Sequence, residues 1–285
     1  MSIAKILVPV NGAGRDAIAI AAALEAAKPF NAHVRLLAVH PEPALSIPNV
    51  GVPLTAEALQ AIVDGQIRYA EAANTRVRGT LTDACSRHGA TIAEARGNGV
   101  TCSFRHKWGD FVRVVVKAAA LSDLVVLSPI HWSEAPELND AFLEILRKVQ
   151  RPVLVAKVPP TGGCATIALG WDGSAAAAHA IQNAVPFLKQ ARRVVILAAH
   201  RSGRAAAAVE PVTAYLTRHG IASECRTADC GARPVGEELV AQADAMQADL
   251  LVAGGYGHDQ VWEALFGGVT ASLVAAPTLP ILLGH

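Results

Sequence analysis

The amino-acid sequence predicts an α/β protein built from two copies of one unit, each a parallel sheet with helices on both faces. Three observations carry that reading. Short apolar runs with a buried-strand pattern alternate with alanine-rich helical stretches, which implies parallel strands joined by right-handed crossovers. The same series of segments occurs twice along the 285 residues, the mark of an internal repeat. The second series contains Asp249-Leu-Leu-Val-Ala-Gly254-Gly-Tyr-Gly257-His and then Phe266-Gly267-Gly268-Val-Thr270, a strand ending in a Gly-x-x-Gly turn with a Gly-Gly pair opening a helical pattern further on.

Taken in order, Lys5-Ile-Leu-Val-Pro-Val is the first strand, closed by Asn11-Gly12. Residues 17–27, interrupted by Glu25, read as a buried helix rather than a membrane span. Val34-Arg-Leu-Leu-Ala-Val-His40 is a second buried strand. A Pro/Gly-rich loop is expected over 41–53, followed by a long helix over 55–88 whose first turn suits Thr55 and Glu57. Asp123-Leu-Val-Val-Leu and Arg151-Pro-Val-Leu-Val-Ala-Lys157 are later strands. Pro159-Pro160-Thr161-Gly162-Gly163 reads as a linker between domains at 1–158 and 164–285, short enough to keep the halves in contact.

The second half answers each segment. Thr166-Ile-Ala-Leu-Gly-Trp-Asp172-Gly173 matches the first strand and turn, and Val194-Val-Ile-Leu-Ala-Ala-His200 the second strand. Asp249-Leu-Leu-Val-Ala matches Asp123 onward, and Leu279-Pro-Ile-Leu-Leu-Gly-His285 matches Arg151 onward. Asn11 and Asp172 stand 161 positions apart but Asp123 and Asp249 only 126, so the first half carries about 35 extra residues, assigned to 41–97.

Composition narrows the function. Hydrophobic residues make up 52% and charged residues 17%, which excludes global disorder. A formal charge of +1 argues against a broad basic surface for nucleic acid, and His106-Lys107-Trp108 is too small a patch to supply one. The run from Met1 into a strand leaves no room for a signal peptide, so the expected compartment is cytoplasmic. Five scattered cysteines, Cys85, Cys102, Cys164, Cys225 and Cys230, read as reduced thiols; Cys225 and Cys230 lack the second ligand pair that a metal site needs.

Doubly wound sheets bind ligands beyond the carboxyl ends of their strands, where the strand order reverses. In the second half Asp172, Ala199 and Gly254 fall at such ends. Asp172 is placed to accept from a ribose hydroxyl or adenine amino group. Gly254 and Gly257 let a ligand lie against the backbone. Gly267, Gly268, Val269 and Thr270 form a helix start aimed at phosphate. The plainer alternative is that Asp172-Gly173 is a turn with Ser174 as a helix cap. No Gly-Lys-Ser/Thr follows the glycines and no Gly-x-Gly-x-x-Gly follows the first strand, so neither a Walker loop nor a dinucleotide fold is indicated. His40, His131, His200 and His258 lie near strand ends without a nucleophile or carboxylate spaced to pair with them, and read as rim residues. Trp108, Trp132, Trp171 and Trp262 read as packing residues, with Trp171 placed to flank an adenine.

With these motifs in view, both halves resemble universal stress protein domains, and the chain resembles a tandem member of that family. The resemblance implies two doubly wound, mostly parallel five-stranded sheets of the adenine nucleotide α-hydrolase-like type, related by a pseudo-twofold axis along which Pro152-Val-Leu-Val-Ala156 pairs with Pro280-Ile-Leu-Leu283. It implies ATP, with or without Mg, bound in the C-terminal half only by Gly170, Asp172, Ala199, Ala253, Gly254, Gly257, Gly267, Gly268, Val269 and Thr270. Gly268 stands where the family's nucleotide-binding subset usually has Ser or Thr. The expected partners are an adenine nucleotide, a second copy of the chain and a further protein, with no nucleic acid and no membrane. No catalytic or metal residue is assigned, and any hydrolysis is incidental.

The first half has lost the glycines. Asn139 and Asp140 fall opposite Gly267 and Gly268, Phe142 opposite Thr270, Pro129 stiffens the turn, and Asn11 replaces the aspartate. A carboxylate at that helix start would repel phosphate, so this pocket is expected to exclude ATP. Two other functions stay open. One is a scaffold acting through the long insert. The other is an enzyme handling adenylated substrates, although Asn11-Gly-Ala-Gly14 is not the pyrophosphate loop such an enzyme needs.

Overall fold

Residues 2–43, 55–129, 136–156, 164–200, 207–231, 233–255 and 278–285 are described by the structure, a computed structural model. The interdomain linker and most of the 41–53 loop lie outside those residues. So do Gly257, Gly267, Gly268, Val269, Thr270, His131, Trp132, His258 and Trp262.

The first half supplies strands β1 (Lys5–Val10), β2 (His33–His40), β3 (Thr91–Ile92), β4 (Thr101–Trp108), β5 (Leu124–Leu127) and β6 (Val153–Val155). The second supplies β7 (Thr166–Trp171), β8 (Arg193–His200), β9 (Glu224–Asp229), β10 (Leu250–Gly254) and β11 (Ile281–Gly284). Outward from the centre the order is β6-β5-β1-β2-β4 in one half and β11-β10-β7-β8-β9 in the other, so the repeat is topological as well as sequential. The halves are not separate sheets. They join through β6 and β11 into one sheet of 11 strands, with the two-residue β3 added at the first half's edge.

The β6–β11 pair is antiparallel, and all other neighbouring strands are parallel. Leu154 faces Leu282 across this seam. These are equivalent positions of the two copies, so the pseudo-twofold axis passes between them. The pairing expected of 152–156 with 280–283 is present. It also removes two edges that would otherwise be exposed.

Repetition extends to single hydrogen bonds. Asp123 accepts the N–H of Lys5 at 2.9 Å and Asp249 accepts that of Thr166 at 2.8 Å, each aspartate clamping the start of its half's first strand. Each also donates its own N–H to the same residue's carbonyl.

Helices cover both faces. On one lie α1 (Asp16–Ala27), α2 (Ala56–His88), α5 (Ala175–Leu188) and α6 (Glu210–Arg218), packed on strand residues such as Ile6, Val8, Ile167 and Leu169. On the other lie α3 (Phe111–Ala119), α4 (Pro136–Glu144) and α7 (Val235–Ala245), packed on Leu7, Val125, Ala168 and Leu251. Strand side chains alternate between faces, so Leu7 and its neighbours Ile6 and Val8 serve opposite layers. Across the seam Phe30 meets Phe187 edge to face, with ring centroids 5.1 Å apart.

The sequence excess of the first half becomes α2, a helix of 33 residues against nine in its counterpart α6. Thr55 caps it as expected, its hydroxyl accepting the Ala58 N–H at 3.2 Å, and Gly89 at φ +69° ends it. The buried positions Ala70, Ala73, Val77, Leu81 and Ala84 recur at three and four residues and form a single stripe. Small residues on that stripe let α2 lie close against the rest of the domain.

Candidate functional site

Each half reverses strand order beside its first strand, between β1 and β5 in the first half and between β7 and β10 in the second. In the first half a crevice of about 460 Å³ opens between the ends of β1 and β5. Asn11, Asp16, Ser128 and Pro129 line it together with Phe111 of α3 and Leu138 of α4.

Asp16 sets the electrostatics of this crevice. Its carboxylate accepts the backbone N–H of Gly12 at 2.7 Å and of Asn11 at 3.2 Å. The residue is only 8% exposed, and burial pushes its carboxyl up to about 6 even though those N–H groups favour the charged form. The main-chain donors of the turn after β1 are therefore already taken by an acid of the same chain.

The acid expected here was Asp140. It is exposed on α4 and lines a different hollow, with Val112, Glu144, Arg147 and His285. The reason is helical phase: along α4 it is Leu138 that faces the crevice, and Asp140 projects elsewhere. Asp16 was missed, yet a signal existed. Laid side by side, the copies put Asp16 opposite Ala177, a carboxylate against a methyl at a buried helix start.

The insert helix overlays the same strand ends. Arg76 Nε donates to the Gly12 carbonyl at 3.1 Å, and His40 Nε2 lies 2.9 Å from Asn74 Oδ1. A Cβ at Gly12 would come 3.0 Å from Ala73, and its φ of +82° favours glycine in any case. His40, expected at the rim, is instead a buried residue partnered by Asn74.

In the second half β7 delivers Asp172 to the corresponding place, exposed to solvent. Its Oδ1 accepts the Ser174 N–H at 2.9 Å, Gly173 takes φ +80°, and Ser174 Oγ caps α5 by accepting from Ala177 N at 3.1 Å. The turn-and-cap arrangement is therefore present, and it leaves Oδ2 of Asp172 open among the described residues. Trp171 packs: its indole N–H donates to the Ala208 carbonyl at 2.9 Å.

The remaining described site residues divide. Ala199 follows Ala198, the register partner of Trp171, and so lies beside Asp172 along the strand ends. Gly254 ends β10 next to buried Ala253. Gly254 has a packing reason of its own: a Cβ there would sit 2.5 Å from the backbone nitrogen of Ala177, so only glycine lets the first turn of α5 rest on β10. Gly170 is buried within β7, where a Cβ would meet Leu239 of α7 at 3.0 Å. Its side is toward the helix, not toward a strand end. Among the described residues no group of three or more His, Cys, Asp or Glu side chains could hold a metal, and no helix is long and apolar enough to cross a membrane.

The fold and its two switch points define a doubled α/β protein with a doubly wound strand order in each half. Solved structures give that class a narrower form. A universal stress protein from Archaeoglobus fulgidus is similar over 99% of this chain and 97% of its own, with 14% identity and a TM-score of 0.69. A putative universal stress protein from Pseudomonas aeruginosa matches over 98% of this chain and 92% of its own, with 16% identity and a TM-score of 0.54. A universal stress protein in complex with cAMP aligns over 55% of this chain and 99% of its own, with 16% identity and a TM-score of 0.36. No family model and no curated protein matches the sequence. The chain has the universal stress protein fold, doubled along its length.

Proposed function

We propose that this chain is a universal stress protein that binds ATP, with or without Mg, at the second-half switch point and acts as a regulatory protein rather than an enzyme. The observation that carries the proposal is the unlike pair of turns. After β1, the Asn11 and Gly12 N–H groups are satisfied by the Asp16 carboxylate, and a polyphosphate there would meet a buried negative charge. After β7, Ala177 stands in the place of Asp16, the overlying helix is short, and Asp172 is exposed. The sequence beyond β10 carries Gly255, Gly257, Gly267 and Gly268, a residue type that lets main-chain N–H groups approach an anion. A cytoplasmic location and a homodimer built on the intrachain pseudo-dimer complete the proposal.

A second reading, a scaffold without nucleotide, draws support from α2, which is far longer than its counterpart and carries Tyr69 at 70% exposure. One experiment separates them. Acid-denatured protein is expected to release adenine nucleotide, and calorimetry is expected to show ATP binding that Asp172→Ala weakens roughly tenfold or more, the loss of a hydrogen bond to ligand. Gly267→Glu is expected to abolish binding. Absence of binding at millimolar ATP with Mg²⁺ sinks the nucleotide proposal and leaves the scaffold. Turnover lost in Asp172→Ala would instead argue for an enzyme.

A further inference from the structure

Cys85 lies in the last turn of α2 and Cys102 in β4, and their Sγ atoms are 2.6 Å apart. That is only about 0.6 Å beyond a covalent S–S bond. Both residues are held in place by backbone. The Cys85 carbonyl accepts from Gly89 at the helix cap and from Ala90 at 3.0 Å. Cys102 is paired on both sides, with Val34 of β2 and Ile92 of β3. Arg78 lies over the Phe104 ring at 4.8 Å, pressing the same stretch of α2 onto the same strand. Packing alone would be served by a thiol and any small apolar partner. Two thiols at this separation are arranged for a bond.

We propose that Cys85 and Cys102 are an oxidant-sensitive pair that closes to a disulfide within the folded protein when a hydroperoxide reaches them. Cys85, at 4% exposure, is the attacking sulfur, and Cys102, at 0%, is the resolving one. Burial raises both thiols, but the Cys102 S–H hydrogen bond favours the thiolate of Cys85. Cys85 sulfur takes one peroxide oxygen and becomes a sulfenic acid as the O–O bond breaks, releasing water or an alcohol that carries off the thiol proton. Cys102 sulfur then displaces that oxygen as water and forms the S–S bond. Two thiols are oxidised and one peroxide is reduced. Burial makes the first step slow, because it lowers both the thiolate fraction and access.

The bond would tie the end of the insert helix to the sheet, closing a loop of 17 residues. The test uses the reduced full-length chain, freed of reductant and incubated with excess hydrogen peroxide before alkylation under denaturing conditions. Mass spectrometry is expected to find two fewer alkylated cysteines and a peptide pair joining Cys85 to Cys102 that dithiothreitol separates. The melting temperature should rise by roughly 5–10 °C. C85S and C102S, checked for folding by circular dichroism, should each lose that rise. The proposal is overturned if all five cysteines still alkylate in treated wild type. It is equally overturned if oxidation is confined to exposed Cys225, or if the joined peptides form only when the oxidant meets urea-unfolded protein.

Discussion

Asp16 is a buried acid whose nearest partners are main-chain N–H groups rather than a cation. Its carboxyl titrates near 4 in the unfolded chain and at about 6 when folded, because burial disfavours the charge. The folded state therefore holds the proton more tightly. The contribution of this group to stability is greatest below pH 4, falls between pH 4 and 6, and is lower above that window by about 3 kcal/mol. Asp16→Asn keeps an acceptor for the turn and removes the charge. Urea melts from pH 4 to 7.5 are expected to show this slope in wild type and its loss in the variant, with the variant more stable by about 1–3 kcal/mol at pH 7. A variant that kept the slope would move its origin to another carboxylate.

At the scale of single elements, glycine divides into two kinds. Gly65 and Gly79 lie inside α2; an added Cβ meets nothing at Gly79 and only the end of the Arg68 side chain, at 4.0 Å, at Gly65. Alanine at either is expected to raise stability by about 0.5–1 kcal/mol in thermal or urea unfolding. Gly254 and Gly284 are the opposite case, with an added Cβ 2.5 Å and 2.6 Å from the backbone of α5. Alanine there must push the helix off β10 or β11 and is expected to cost about 1–3 kcal/mol or more. The start and the length of α2 were legible in the sequence because Thr55 caps the N–H groups of its own neighbours. The role of Gly254 was only half legible. A glycine at a strand end serves equally for a ligand's approach or a helix's approach, and the facing element, α5, lies about 80 residues upstream in the chain. Asp140 was misplaced for a related reason: spacing gives its position along α4 but not the rotation of that helix against the sheet.

Over the whole molecule the continuous sheet binds the halves into one unit. Leu154 and Leu282 are both almost fully buried at the seam, and the hydrophobic layer over each face crosses it. Equilibrium unfolding is expected to be a single transition, with the same midpoint by circular dichroism and by tryptophan fluorescence of variants that retain only Trp108 or only Trp171. Two separated midpoints would show the halves to be independent. The repeat was legible here because the aspartate-led strand recurs in both copies. That the halves form one sheet follows from pairing at a distance, which no local pattern encodes. The antiparallel seam also turns the carboxyl ends of the two halves to opposite rims of the sheet. The two sets of strand ends therefore face away from one another and cannot line a single shared pocket.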